Sequence, residues 1–314
     1  MKEGSAVHLI EEIVERFPIR KNEEQKQAFL RYAVARGKKL GYNARVEENG
    51  KHFNFVAGNP DTARVLFTAH YDTPAVMPLP NLMLPRNPLL FYLYHFVPVL
   101  LLLIISAAFA FGVFALTHER RLTTISFLLA YYALLLLMIM GPANKHNVND
   151  NTSGVATVLR LMELLPEDAR GKAAFALFDN EEKGMRGSKA FALRHDKVKK
   201  ETLVVNLDCV GVGDHVLFIA KARACAKAEY AALSEHFSPA EGLTPHFYPA
   251  QGSVMNSDHK SFRCGVGVAA CRRAPVAGYY TAHIHTRRDT EADPKNIEYL
   301  ASGLCAFVES LSEN

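Results

Sequence analysis

The sequence predicts an α/β fold: a three-layer α/β/α sandwich with a mixed, largely parallel central sheet, into which a two-helix hydrophobic hairpin, read as transmembrane, is inserted. Three observations predict it. Short apolar runs such as RVLFTAH (64–70), AAFALFD (173–179) and TLVVNLD (202–208) are continuous rather than alternating, the pattern of strands buried on both faces. Between them lie stretches with apolar residues at helical spacing, as in SGVATVLRLMELL (153–165), so strand and helix alternate along the chain. Finally, FVPVLLLLIISAAFAFGVFAL (96–116) and ISFLLAYYALLLLMIM (125–140) interrupt an otherwise soluble composition.

In chain order, residues 6–17 and 23–39 read as amphipathic helices, the second closed by Gly37 and again by Gly41. NARVEEN (43–49) and HFNFVAG (52–58) alternate around Asn49-Gly50, a strong hairpin signal. The strand at 64–70 follows, and then the two oily runs. After them come a helix at 153–165, a strand at 173–179, a helix at 187–195 and a strand at 202–208. A strand at 215–220, a helix at 223–237, a short helix at 257–263, a strand at 266–272 and a closing helix at 294–311 complete the reading.

Composition narrows the function. The 36 Lys and Arg against 32 Asp and Glu give a net charge of +4, and the basic residues are scattered without interleaved aromatics, so no nucleic-acid partner is expected. The five cysteines are an odd number without a CxxC pair, which predicts reduced thiols in a reducing compartment. The opening MKEGSAVHLIEEIVERF mixes charges with apolar residues at helical spacing, and no secretory signal is expected there.

In parallel sheets, chemistry gathers beyond the carboxyl ends of the strands. Those ends deliver His70 and Asp72 (AHYD), Asp179 followed by Glu181 and Glu182 (FDNEEKGMRGS), and Asp208 (NLD). Loop positions add Asp150 in VNDNTSGVA and His285 in AHIHTRRDT. Two zinc ions sharing a bridging carboxylate need that carboxylate and about two further imidazole or carboxylate ligands each. His70, Asp150, Glu182, Asp208 and His285 supply such a set. Each feature alone has an ordinary structural explanation: a polar loop, a favourable helix start for Glu-Glu, or a capping Asp.

Taken together, AHYD (69–72), NDNTSGVA (149–156), NEEKGMRGS (180–188), NLD (206–208), SDHKSF (257–262) and HTRRDT (285–290) resemble, in content and order, the two-zinc aminopeptidases. That family also includes glutamate carboxypeptidases and glutaminyl cyclases. The resemblance implies a zinc-exopeptidase-like fold and two Zn2+ per chain. His70, Asp150 and Asp208 would hold one zinc, and Asp150, Glu182 and His285 the other. Glu181 would be the general base acting on a metal-bridging water, and Asp72 would hydrogen-bond the His70 imidazole and fix its tautomer. The Asp150–Asn151 bond occupies the family's position for a non-proline cis peptide. Ser257, Asp258 and His259 would line the specificity side of the cleft, with a helix N-cap at Ser257 or Asp258 as the alternative. A neighbouring two-metal family of peptidases and acylases uses similar ligands but inserts a lid domain before the last His, and the stretch from Asp208 to His285 is short for one.

The departure from the family pattern is the long segment between His70 and Asp150. It divides the chain into a discontinuous catalytic domain, 1–83 and 141–314, and a hydrophobic hairpin, 84–140. The first run is long enough to span a bilayer core; the second, at residues 125–140, is marginal. A membrane hairpin is preferred over a lid or an oligomerisation arm, with both ends, and hence the catalytic domain, on the cytoplasmic side. Three functions are in play. One is a membrane-tethered aminopeptidase acting on short peptides. Another is a carboxypeptidase, dipeptidase or glutaminyl cyclase on the same site, with Arg272, Arg273, Arg287 or Arg288 available for a substrate carboxylate. The last is a non-catalytic membrane binding module.

Overall fold

The structure, a computed structural model, describes residues 5–77 and 79–312. Helix α1 (Ala6–Arg16) starts where the Ser5 hydroxyl accepts the His8 N–H, and α2 (Glu23–Lys39) starts at a reciprocal cap between Asn22 and Gln25. Strands β1 (Ala44–Asn49) and β2 (His52–Ala57) form the expected hairpin, with Gly50 at a positive φ of 67° that the turn requires. Strand β3 (Val65–His70) leads to the two oily helices, α3 (Pro88–Thr117) and α4 (Arg120–Met140). Then follow α5 (Gly154–Leu164), β4 (Ala173–Phe178), α6 (Arg186–Arg194), the short α7 (Asp196–Lys200), β5 (Leu203–Leu207) and β6 (His215–Ala220). The chain closes through α8 (Ala222–Cys225), α9 (Ala228–Glu235), β7 (Thr244–Pro249), β8 (Gly265–Ala274), β9 (Gly278–Tyr280) and α10 (Pro294–Ser310).

The strands form one sheet in the order β1-β2-β4-β3-β5-β8-β6-β7, with β9 added to β8. Its four central strands, β4-β3-β5-β8, run parallel, and the antiparallel pairs lie toward the edges. Side chains alternate across it as the pleat demands. Phe67, Phe175 and Val205 enter a core with Phe29 of α2, Leu161 of α5 and Leu304 of α10. Leu66, Phe178 and Val204 enter a second core with Phe191 of α6 and Val198 of α7. Both faces are therefore covered, giving the three-layer sandwich, and truncating a side chain such as Phe175 to Ala should cost about 3–5 kcal/mol.

Several elements differ from the sequence reading. The helix expected over 223–237 is broken into α8 and α9: Lys227 turns extended, α8 packs on β6 and β8, and α9 packs on α10, so the two pieces answer to different partners. Strand β7, over TPHFYP, is absent from the sequence reading; its two prolines lie in a strand at the sheet edge, where proline is tolerated. The expected helix at 257–263 is a single 3-10 turn over Asp258–Ser261. Helix α4 begins at Arg120, five residues before the apolar run, so its 21 residues extend roughly 32 Å rather than the marginal length of the run alone.

Helices α3 and α4 pack on each other and stand away from both cores. Both are long and apolar enough to cross a membrane by length and composition, and the most apolar window is 17% buried in α3 and 0% in α4. The base of α3 is fixed to the sandwich. Asn87 caps its first turn by accepting the Leu90 N–H, while Arg86 donates to Ser253 Oγ at 2.8 Å and stacks over the Tyr248 ring. The residues leading into it bond to the loop that carries His285, through Met77 N–H to His285 O and Met83 N–H to Thr281 O.

Candidate metal centre

The parallel strands β3, β4 and β5 end in register, with His70 paired to Phe178, so the residues just beyond them converge on one edge. His70 Nε2 lies 3.2 Å from Asp150 Oδ1 and 3.9 Å from Asp208 Oδ1. His285 Nε2 lies 3.1 Å from Asp150 Oδ2 and 3.3 Å from Glu182 Oε2. His70, Asp150 and Asp208 thus form one cluster of potential ligand atoms, and Asp150, Glu182 and His285 form another. Asp150 belongs to both, one oxygen facing each. Glu181 joins His70 and Glu182 in a third grouping.

Asp150 sits at a kink in the segment Val148–Ser153, where its own backbone and that of Asn151 are non-helical, and its bond to Asn151 is cis. Neighbouring polar groups hold this segment. Asn151 donates to Leu207 O at 2.9 Å and accepts the N–H groups of Gly154 and Cys209. Gly154 has to be glycine, because a Cβ there would lie 2.3 Å from the Leu207 carbonyl. The Asp289 carboxyl accepts the N–H of Asn149 at 2.8 Å and that of Asp150 at 3.0 Å. Burial, with Asp150 close by, pushes Asp289 up to about 8.

Glu181 and Glu182 lie in a turn ahead of α6, not at a helix start, so dipole placement does not account for the pair. Asp72 orders that turn: its carboxylate accepts the Glu181 N–H at 2.9 Å and the Glu182 N–H at 3.3 Å. His70 Nδ1 faces the Asp72 carbonyl at 3.2 Å and the carboxylate at 3.5 Å, leaving Nε2 for the cluster. Asp179, the other acid at the end of β4, is engaged elsewhere, paired with Lys26 at 2.5 Å.

Ser257, Asp258 and His259 are all buried. Ser257 makes no side-chain cap and instead accepts from Asn206 Nδ2 at 2.7 Å. Among the described residues neither Asp258 carboxyl oxygen has a hydrogen-bond partner; burial pushes that group up to about 7 and pushes His259 down to about 3.

Two residues supporting the site escaped the sequence reading. Arg20 is fully buried between α1 and α2 and donates to Tyr71 O, Phe17 O, Asn147 Oδ1 and Thr152 Oγ1, tying the His70 and Asp150 segments together. A lone Arg between two helices carries no signal for this. Asp289 had one: it lies inside the HTRRDT motif, four residues after His285.

The model of Peptidase family M28 matches residues 138–308, more than half of the chain. The chain belongs to peptidase family M28. As an M28 protein with this fold it is a zinc metallopeptidase. Solved structures with the same fold include a glutaminyl cyclase of Porphyromonas gingivalis, at TM-score 0.61 and 16% identity, covering 97% of this chain and 96% of that one. A Zn-dependent exopeptidase of Parabacteroides distasonis gives TM-score 0.60 and 14% identity over 98% and 97% of the two chains. The LapA aminopeptidase of Legionella pneumophila gives 0.56 and 12% over 98% and 70%. No curated protein gives a significant match.

The M28 residues fit zinc. The donors are imidazole nitrogens and carboxylate oxygens, the set zinc favours outside thiolate sites. The cluster is also out of charge balance by itself. Burial raises Glu181, Glu182 and Asp208, each against the pull of His70; Asp150 is held low despite its burial by His285 and His70. Glu182 Oε1 is buried without a partner among the described residues. The nearby Arg20 spends its donors on neutral oxygens. Cations bound at the cluster would supply the missing partner and the missing charge.

Proposed function

We propose that this M28 protein is a membrane-associated aminopeptidase that removes amino-terminal residues from short peptides. His70, Asp150 and Asp208 would hold one zinc, and Asp150, Glu182 and His285 a second. The observation that carries the reading is the orientation of Asp150, whose Oδ1 faces His70 while its Oδ2 faces His285, as a bridging carboxylate must. Two zinc ions bound there would bring the pKa of water toward neutrality, polarise the scissile carbonyl and offset oxyanion charge.

Glu181 does the proton transfer in this reading. It lies beside His70 and Glu182 yet is left over by both ligand sets. It takes a proton from the attacking water and returns it to the leaving nitrogen, so the C–N bond breaks and the amine departs neutral. Asp72 positions Glu181 and Glu182 through their backbone N–H groups. Ser257, Asp258 and His259 would lie on the specificity side. The carboxylates Asp72, Asp150, Glu181, Glu182 and Asp208 outnumber Lys21, Lys26 and Lys183 of the adjoining cavity, which favours a cationic amino terminus over a substrate carboxylate.

The domain reading assigns 1–83 and 141–314 to the catalytic unit and 84–140 to a membrane hairpin that contacts lipid. The exposed apolar surfaces of α3 and α4 support it, since a soluble core helix would be covered. The cysteines, free and mostly buried, are consistent with a cytoplasmic catalytic unit.

The test is full-length protein in detergent. Two zincs per chain by elemental analysis are expected, with chelator-sensitive hydrolysis of leucyl-naphthylamide. One zinc per chain, or cyclisation of glutaminyl peptides without hydrolysis, would overturn the reading.

A further inference from the structure

An apolar cavity of about 690 Å3 opens between α3, α4 and the segment that leads into them. Its walls include Val76, Leu79, Pro98, Leu102, Ile105 and Leu134. Its polar side chains are mostly bonded to one another or to backbone: Tyr94 OH donates to Pro80 O at 2.7 Å, and His95 lies 2.8 Å from Phe91 O and 2.9 Å from Asn81 Oδ1. Apart from Arg287, the lining thus offers little to a polar side chain.

The cavity adjoins the metal centre. Met77 and Met138 line both it and a smaller cavity of about 160 Å3 bounded by Asp72, Glu182 and His285 and by Lys21, Lys26 and Lys183. Along α3 it runs from Tyr94 to Ile105, roughly 16 Å of helix, room for an extended alkyl chain rather than one amino-acid side chain.

We infer that the substrate is lipid-modified: an amino-acid or peptide amide whose scissile bond sits at the metal centre and whose long alkyl chain lies in this groove. The inference rests on the aminopeptidase reading, which sets the free amino terminus among the carboxylates and so puts the alkyl chain on the leaving-amine side. Water adds to the carbonyl, the C–N bond breaks, and Glu181 passes the water's proton to the departing alkylamine. No further reactant is needed. A membrane hairpin would let such a substrate reach the site from the bilayer.

The experiment compares leucyl-alkylamides from butyl to hexadecyl, with the dipeptide Leu-Gly as control, on zinc-loaded full-length protein in detergent. The expected result is a rise in kcat/KM of about threefold to fourfold per methylene while the chain fills the groove. Ile105→Trp and Leu134→Trp, two separate obstructions, should flatten the rise and leave Leu-Gly hydrolysis unchanged. A leucyl-alkylamide tipped with a diazirine should label α3 or α4 in chelator-treated protein, a readout that needs no turnover. A flat series with Leu-Gly still cleaved overturns the inference and leaves the aminopeptidase reading standing. A rise that persists in both tryptophan variants reflects partitioning into detergent and overturns it as well, as does labelling elsewhere. Preference for an oligoleucine peptide of equal length overturns the alkyl assignment in favour of a hydrophobic peptide. Failure to cleave Leu-Gly as well as the alkylamides overturns the aminopeptidase reading itself.

Discussion

The sulfur of Met77 lies 3.3 Å from Nδ1 of His285, and the Met77 N–H donates to the His285 carbonyl at 2.8 Å. The segment that leads into the hairpin therefore touches the candidate ligand twice, fixing the ring so that Nε2 points at Asp150 and Glu182. Partners that orient a ligating imidazole are typically worth 10–100-fold in metal affinity. Met77→Leu keeps the bulk and removes the sulfur, so zinc binding at this position should weaken by about tenfold. Competition of the metal-free protein against a chelating dye reads the change; unaltered affinity would make the contact incidental.

Glu181→Gln should lower hydrolysis by about 10²–10⁴-fold while zinc content is unchanged, because the group is left outside both ligand sets. Turnover and elemental analysis on the same preparation decide the matter. Loss of metal would make Glu181 a ligand instead.

Arg20→Met keeps much of the volume but removes the side-chain donor to Tyr71 O and Phe17 O, while Asn147 Oδ1 keeps its bond from the Thr152 hydroxyl. A destabilisation of about 3 kcal/mol or more is expected, since each unsatisfied buried group costs about 1–3 kcal/mol. Thermal denaturation in detergent measures it, and a melting temperature within a degree or so of wild type would contradict the account.

A pH effect should arise far from the metal centre. His195 lies 2.9 Å from Glu47 Oε1 and 2.9 Å from Asp61 Oδ2. Burial works against the imidazolium, but these partners outweigh it and raise the His195 pKa above its ordinary 6.5. Burial likewise opposes the Glu47 carboxylate, and the His195 hydrogen bond outweighs it, lowering Glu47 below 4.5. The His195 contribution is thus complete below 6.5 and lost as pH rises through its folded value. The Glu47 contribution is complete above 4.5 and lost as pH falls through its folded value. The stability difference between wild type and His195→Gln should be largest between the two ordinary values, 4.5 and 6.5, and shrink on the alkaline side. A difference that grows toward pH 9 would reverse the assigned sign.

Membrane residence makes its own prediction. The full chain should remain with membranes after alkaline carbonate extraction, and a variant with residues 84–140 replaced by a short linker should be released. Release of the intact chain would remove the spanning reading.

Much of the fold was legible because its signals are local. The buried strands β3, β4 and β5 are continuous apolar runs, α2 and α5 carry apolar residues at helical spacing, and Asn49-Gly50 marks its hairpin. The candidate ligands His70, Glu182 and Asp208 were legible because parallel strands deliver the residues after their carboxyl ends to one edge, whereas the loop residues Asp150 and His285 were singled out by their motifs. What local patterns could not give was any feature set by a distant partner: the break between α8 and α9, the edge strand β7 and the helical first turns of α4.

The sequence by itself determined which residues have the chemistry of a metal centre and that two oily segments interrupt the chain before Asp150. Tertiary structure decided how those residues face one another. Each Asp150 oxygen turns toward a different histidine in a segment held by the Asp289 carboxyl, while Arg20 joins the His70 and Asp150 segments. The contact of Met77 with His285 joins residues on opposite sides of the hairpin and most of the sheet. Such relationships form only when packing closes long loops, so short-range periodicity and propensity hold no trace of them.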